Sequence, residues 1–567
     1  MTEQTTGSGF AELAERPYAD VLIIGGGING LAVLRDLAMQ GIDVALVERA
    51  DFVSGASAAS SHMIHGGIRY LENGEFRLVH EAVTERNGLL KIAPHYVRPL
   101  PTTIPIHSTF SGLLGAPLRF LRHGRGRPAE RGAILIKIGL VIYDSFSRGG
   151  GRVPRHEFHG RRRSLRDLPR LNPTVKYTAT YWDASLHDPE RLAIDVLRDA
   201  RAAGARAANH TAAVGVESGR VVLREIETGD EVPFAASVIV NATGPWTDLT
   251  NLALGDPTRY MGGTKGSHIV LDHPELLAAT SGRELFFEHR DGRIVLIYPL
   301  KGRVLVGTTD LEHHMTDPIV CTEDEVDYFI DLIGQVLPDI AVDRDRIVHR
   351  FAGVRPLPGH GDTAPGFVSR DYRIEQAPLL GGDSTVLSLV GGKWTTFRAS
   401  AERVADRVLA LLATPRRHTT RGIPIGGGAG FPTTERSRSH WVSSHADGIG
   451  IARAAVLLDR YGTVAAQVID AITLAGADRP LRTLPAYSVE ELRHIAATEQ
   501  VVHLDDLLQR RSSIAFTGGV SEESAAEVAE AIAPVLGWDA DRVAAEVVRA
   551  LERVHAADPT WERAAAT

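Results

Sequence analysis

The 567-residue chain has one cysteine, Cys321. A single thiol cannot close an internal disulfide or build a cysteine metal cluster, and it suits a reducing compartment. No metal site is expected. The first residues, Met1-Thr2-Glu3-Gln4, lack a basic region followed by an apolar stretch, so no secretory signal is predicted. No apolar run reaches the roughly 20 residues that span a bilayer. The best candidate, Gly132 to Tyr143, is short and broken by Lys137. The net charge of −8 gives no reason to expect nucleic acid as a partner. No internal repeat is present. These absences predict a cytoplasmic protein of about two to four domains.

What is present is most telling between Ala19 and Arg49. The apolar run Val21, Leu22, Ile23, Ile24 reads as a buried parallel strand. It enters Gly25-x-Gly27-x-x-Gly30, which opens a helix with apolar Leu31, Leu34 and Ala38; a second strand, Val44 to Val47, ends in Glu48. Gly25 permits the tight turn, Gly27 lets backbone approach a pyrophosphate, and Gly30 lets helix pack on strand. The helix N-terminus offers free N–H groups to phosphate. Glu48 stands where an acid accepts hydrogen bonds from the adenosine ribose, which argues against a 2′-phosphate. NAD and FAD both fit this segment.

Residues 1–17 read as a disordered tail. After the nucleotide unit come a polar, glycine-rich stretch (Ser54 to Gly67) and basic loops at His123 to Arg131 and Arg148 to Arg163. Strands are predicted at Ser237 to Val240 and in a hairpin, Arg293 to Leu300 and Arg303 to Val306, turning at Lys301-Gly302. Residues 413–432, glycine- and proline-rich, have the composition of a linker. Beyond them the pattern is helical, with a capping box at Ser488 and Glu491.

Four further glycine-containing signatures are SSHMIHGGIRYLE (Ser60 to Glu72), NATGPW (Asn241 to Trp246), FAGVRPL (Phe351 to Leu357) and GGKWTT (Gly391 to Thr396). With KGSHIV (Lys265 to Val270), GTTD (Gly307 to Asp310), SRDY (Ser369 to Tyr372) and LDDLLQRR (Leu504 to Arg511), the chain resembles the FAD-dependent glycerol-3-phosphate dehydrogenase family from about Asp20 to about Arg553. That family is a branch of the glutathione-reductase-like and D-amino-acid-oxidase-like flavoproteins.

The resemblance implies an α/β plus α fold: a Rossmann-like FAD-binding domain, an inserted mixed antiparallel-sheet substrate domain and a helical C-terminal domain. The FAD-binding domain would comprise 18–105, 191–260 and 345–412, the substrate domain 106–190 and 261–344, and the helical domain 433–567. Besides Gly25, Gly27, Gly30 and Glu48, the cofactor would meet Ser57 and Ser60 near the pyrophosphate and Gly244 near adenine. Gly391, Gly392, Lys393 and Thr395 would line the isoalloxazine. A cation such as Lys393 at the flavin N1/O2 edge favours the reduced, anionic flavin. A phosphate monoester calls for more than one cation; the resemblance places Arg69, with Tyr70 beside it, Arg355 and Arg370 there. Oxidising a secondary alcohol also needs a proton acceptor, for which His65 and His268 are the candidates.

Three loops depart from the family pattern: His62 stands where relatives usually carry lysine, His313-His314-Met315 follow GTTD, and TTIPIHSTFSGLLG follows Pro101. The expected reaction is oxidation of sn-glycerol 3-phosphate to dihydroxyacetone phosphate, with electrons passed to a quinone or another acceptor. The same chemistry on another polyol phosphate, such as erythritol phosphate, is the first alternative. An amine or 2-hydroxy-acid oxidase and a non-catalytic flavoprotein are the others. Quinone use would bring the protein to the inner face of the cell membrane, and Phe110 to Arg127 mixes apolar and basic residues as an interfacial element does. A homodimer is compatible with this reading.

Overall fold

A computed structural model describes residues 8–67, 76–108, 133–147, 153–289, 293–359 and 371–561. Among these, two large sheets and a helical domain make up the fold. The first sheet runs in the order Arg373–Pro378, Thr385–Val390, Glu231–Asn241, Tyr18–Ile24, Val44–Val47, Arg206–Ala208. Along this order four pairings are parallel and the edge strand Arg373–Pro378 pairs antiparallel; off it, Arg220–Glu225 pairs antiparallel with both Glu231–Asn241 and Thr211–Glu217. Parallel strands need both faces covered. The helices Ile28–Met39, Pro189–Ala202 and Phe397–Leu411 pack side by side and share an apolar core with the sheet: Val21 and Ile23 meet Leu31, Leu34 and Leu37. The opposite face packs Leu22 and Ile24 against Phe234 and Leu223. Alternate strand residues thus serve two cores, which explains the unbroken apolar run.

The second sheet is mixed, and its strands are interleaved along the chain with those of the first. It runs Leu311–Glu312, Thr264–Leu271, Arg303–Gly307, Ile294–Leu300, Glu284–Glu288, Val97–Ile106, Tyr177–Leu186, Met63–Ile64. Ile347–Arg355 also pairs antiparallel along Thr264–Leu271. Three expected boundaries therefore move. Met63–Ile64, Val97–Ile106 and Ile347–Arg355, expected in the cofactor domain, are strands of the second sheet. Val97–Ile106 carries Pro99, Pro101 and Pro105, yet pairs along its whole length with Tyr177–Leu186. Its other side pairs only at Thr102 and Thr103, where N–H groups are available.

The N-terminal segment is also more ordered than its composition predicts. Phe10–Glu15 is a helix whose Phe10 and Leu13 are buried, and Ser8 O accepts the N–H of Asn209. The end of the basic loop expected from Arg148 to Arg163 belongs to a short helix, Arg161–Asp167. Residues 413–432 connect the domains but pack closely: Arg416 pairs with buried Asp36 at 2.8 Å, and Gly428 lies where a Cβ would meet Ile92 O at 2.1 Å. The helical domain, from Glu435–Ser444 to Ala540–Val554, has a separate core around Leu457, Leu492, Ile495, Leu508 and Ile532. Ser488 caps its helix through the Glu491 N–H as predicted. The Glu491 carboxylate turns inward instead, to Arg453 at 2.7 Å and Tyr461 at 2.5 Å.

Candidate active site

The first strand ends in the glycine turn as its sequence requires. Gly25 has φ +111°, and a Cβ there would lie 2.8 Å from Ala242 backbone. Gly30 packs so closely that a Cβ would meet Gly25 O at 1.9 Å. Gly27 is the N-cap of Ile28–Met39. The next N–H, of Ile28, is taken by Ser57 Oγ at 3.0 Å. Glu48 is fixed by two backbone donors, Gly26 N–H at 2.7 Å and Ala50 N–H at 3.0 Å. Burial raises its carboxyl above the usual range, while those two donors and Arg49 pull it back.

A cleft of about 800 Å³ follows, lined at one end by Gly25, Gly27, Glu48, Ser57 and Gly244, and at the other by His62, Phe351 and Phe516. It lies at the carboxyl ends of parallel strands and over a helix N-terminus, where doubly wound sheets bind dinucleotides. Arg49 lies over the Trp246 ring, 4.9 Å from its centroid, beside the Glu48 end.

The segment Ser57–His65 joins the cleft to everything else in the candidate site. Ser57 O accepts the Trp394 indole N–H at 3.0 Å, and His65 O accepts the Thr395 hydroxyl at 3.2 Å. These bonds bring GGKWTT alongside it. Gly391 and Gly392 have φ of +95° and +119°, and a Cβ on Gly392 would strike Asn29 Nδ2 at 2.4 Å. Ser60 Oγ accepts the His62 N–H at 3.3 Å. On the other side, Ala59 fits against Gly353, where a Cβ would come within 2.3 Å of its own. Ser61 Oγ lies 2.9 Å from His268 Nε2. Beneath the glycines, Gly66 N–H donates to Asp183 at 2.9 Å, and Asp183 is held by fully buried Arg86 at 2.9 Å and by the Tyr143 hydroxyl at 2.5 Å.

His268 and Arg355 meet through strand register. His268 pairs with Phe351, Gly266 with Gly353 and Thr264 with Arg355. Alternate residues share a face, so two glycines separate the His268–Phe351 pair from Arg355. Their bareness is used: a Cβ on Gly266 would lie 2.3 Å from Arg355 Nη2. A Cβ on Gly307 would lie 2.2 Å from the His268 ring. Arg355 is held by Asp310 at 2.7 Å, Thr308 Oγ1 at 3.0 Å and Thr309 O at 2.8 Å. The His268 ring stacks on Phe351 at 4.8 Å and 14°. Burial, then the charges of Arg355 and His62, push its pKa well below that of an ordinary imidazole. His268 is therefore neutral across the physiological range.

Lys265, of the same KGSHIV motif, faces away: its ammonium pairs with Glu325 at 2.7 Å. His62 is buried, its ring 4.9 Å from that of Phe516 and 6.4 Å from that of Phe351. Arg69, Tyr70 and Arg370 lie outside the described residues, as does Phe110 to Arg127. Sequence reasoning passed over Ser61, Asp310, Phe351, Arg86 and Asp183. The first three stand inside quoted motifs; Arg86 and Asp183 gave no local signal, because their role is burial.

No helix among the described residues is long and apolar enough to cross a membrane. The family described as FAD dependent oxidoreductase matches residues 20–407, and the C-terminal domain of alpha-glycerophosphate oxidase matches 418–543. A glycerol-3-phosphate dehydrogenase from Synechocystis is 32% identical over 93% of this chain and 95% of its own. A D-erythritol 1-phosphate dehydrogenase from Brucella abortus is 31% identical, over 88% and 95%. The fold matches the solved glycerol-3-phosphate dehydrogenase of Bacillus halodurans with a TM-score of 0.73, at 23% identity and 97% coverage of both chains. A glycine cradle with Glu48 beside it, a cleft at the strand ends and matches spanning both domains agree: the chain is an FAD-dependent oxidoreductase of the glycerol-3-phosphate dehydrogenase family.

Proposed function

We propose that this enzyme oxidises sn-glycerol 3-phosphate to dihydroxyacetone phosphate and passes the electrons to a quinone. The observation that carries this reading is the pairing of a fixed cation with a neutral base: Arg355 anchored by Asp310, beside His268 bonded to Ser61. The residues present fit FAD. Gly25 and Gly30 have no room for a side chain, Gly27 opens the helix N-terminus, and Glu48 keeps lone pairs for ribose hydroxyls beyond the two it gives to backbone. Bound FAD supplies the hydride acceptor.

In this reading Arg355 would bind the phosphate with Arg69 and Arg370, and Lys393 would supply the cation that favours a reduced, anionic flavin. Arg355 holds three partners on Asp310, Thr308 and Thr309 before substrate arrives, so little side-chain entropy is lost on binding. The hydroxyl proton passes through Ser61 Oγ to His268 Nε2, with His65 the second candidate. Arg355 lowers the basicity of His268 in the free enzyme. A phosphate dianion on Arg355 offsets that charge, so substrate binding itself strengthens the base.

Anaerobic bleaching of the flavin by a panel of polyols tests the proposal. Glycerol 3-phosphate should reduce it fastest. Faster reduction by erythritol 1-phosphate would move the assignment to a tetritol phosphate, and equal reduction by unphosphorylated polyols would remove the phosphate site.

A further inference from the structure

Away from His268 and Arg355, two imidazoles and a carboxylate converge where the cofactor-binding and helical domains meet, and His210 and Glu227 line the same cleft. His210 follows the strand Arg206–Ala208, Glu227 lies in the turn before Glu231–Asn241, and His503 precedes the helix Leu504–Asp506. One ligand atom from each lies within 4.8 Å of the others. The histidine rings are 4.8 Å apart at 77°. His503 Nε2 lies 3.0 Å from Glu227 Oε1, yet is buried without a hydrogen-bond partner among the described residues. Its other nitrogen, Nδ1, lies 2.8 Å from Glu546 Oε1. With Glu546 holding a proton on Nδ1, Nε2 would be left to present its lone pair to an ion placed between it and Glu227.

We propose that His210, Glu227 and His503 bind a divalent transition-metal ion, of which zinc is the probe, and that this ion joins the two domains beside the adenosine end of the cleft. Two imidazoles and one carboxylate form a three-ligand set that leaves a fourth position for water. Asp506 Oδ2 lies 3.2 Å from His210 Nε2 and so helps to hold that ring. The surrounding cations are already engaged: Arg510 with Asp51 and Asp506, Arg511 with Asp51, Arg549 with Asp505 at 3.1 Å, and Arg542 with Glu546 at 2.7 Å. Arg542 also lies 3.2 Å from His503 Nδ1. No spacing in the sequence announces this set, because residues 210, 227 and 503 meet only through the domain contact.

The test is calorimetric titration of Zn²⁺ into chelator-treated, FAD-loaded enzyme, with Co²⁺ absorption as a second readout. Wild type should take up a single ion and rise in Tm, with an unchanged flavin spectrum. His503→Gln and Glu227→Gln should each abolish uptake, and Glu546→Gln should weaken it roughly 10–100-fold. Glu227 is one-third exposed, so its variant decides the matter if His503→Gln fails to fold. Absence of uptake by wild type would leave a plain ion pair between an imidazolium and two glutamates, and the proposal falls. Wild-type affinity in both ligand variants would place the ion elsewhere and also overturn it.

Discussion

Ser61 Oγ lies 2.9 Å from His268 Nε2, tying the segment after the cofactor helix to the second sheet across 207 residues of sequence. If this pair carries the proton, His268→Asn should lower kcat by roughly 10²–10⁴ with FAD still bound. Ser61→Ala should lower it less, since water can replace a hydroxyl in a relay. A full loss in His65→Asn with near-normal kcat in His268→Asn would transfer the role to His65.

The same geometry orders two pH limbs. The acidic limb of kcat/KM reports the free enzyme and that of kcat the substrate complex. Free His268 is depressed by burial and by Arg355, so the kcat/KM limb should lie below the usual histidine range. Dianion binding to Arg355 should place the kcat limb at higher pH than the kcat/KM limb. Coincident limbs would mean that the phosphate does not sit on Arg355.

Arg355→Ala should raise KM for a polyol phosphate by one to several orders of magnitude, since a charge-assisted hydrogen bond contributes roughly 1.5–3 kcal/mol and truncation costs more. Asp310→Asn should cause a smaller rise, because Thr308 and Thr309 still hold the guanidinium. FAD content should match wild type in both. An unchanged KM in Arg355→Ala defeats the assignment.

The cradle glycines should separate by substitution. Gly30→Ala places its Cβ 1.9 Å from Gly25 O, so it should fail to give soluble, folded protein. Gly27→Ala meets only Ser57 Oγ at 3.2 Å and should weaken FAD modestly. Gly27→Val should remove FAD while the fold survives, as judged by circular dichroism and flavin release. FAD retained in Gly27→Val would mean that the pyrophosphate passes elsewhere.

Stability should carry a histidine signature. Burial lowers His62 to about 4, so the unfolded chain takes up a proton near pH 6.5 that the native state refuses. Its contribution is complete above 6.5 and is lost as pH falls toward 4, by up to about 3 kcal/mol. Glu190 and Glu284, pushed up to about 8 by burial, act in the opposite sense, so the comparison must isolate one group. The Tm deficit of His62→Gln relative to wild type should shrink between pH 7 and pH 5. A constant deficit would mean that His62 titrates alike in the folded and unfolded chains, and a growing one that the native state keeps it protonated.

The sequence determined the parts whose physics is local. Gly25-x-Gly27-x-x-Gly30 and Glu48 dictate a turn, a helix N-terminus and an acid within one strand–helix–strand unit, and each stands where those constraints require. The motifs also offered His268, Arg355 and Thr395 as candidates. Tertiary structure decided what depends on register and burial. Val97–Ile106 and Ile347–Arg355 joined the second sheet because their pairing partners lie far away in sequence. Lys265 turned from the site while His268 turned to its Ser61 and Arg355 neighbours, since a strand sends residues three apart to opposite faces. Ser61 met His268, and His210 met His503, only after distant segments closed upon each other. Residue identity fixes which chemistry is available; packing fixes which groups are near enough, and dry enough, to perform it.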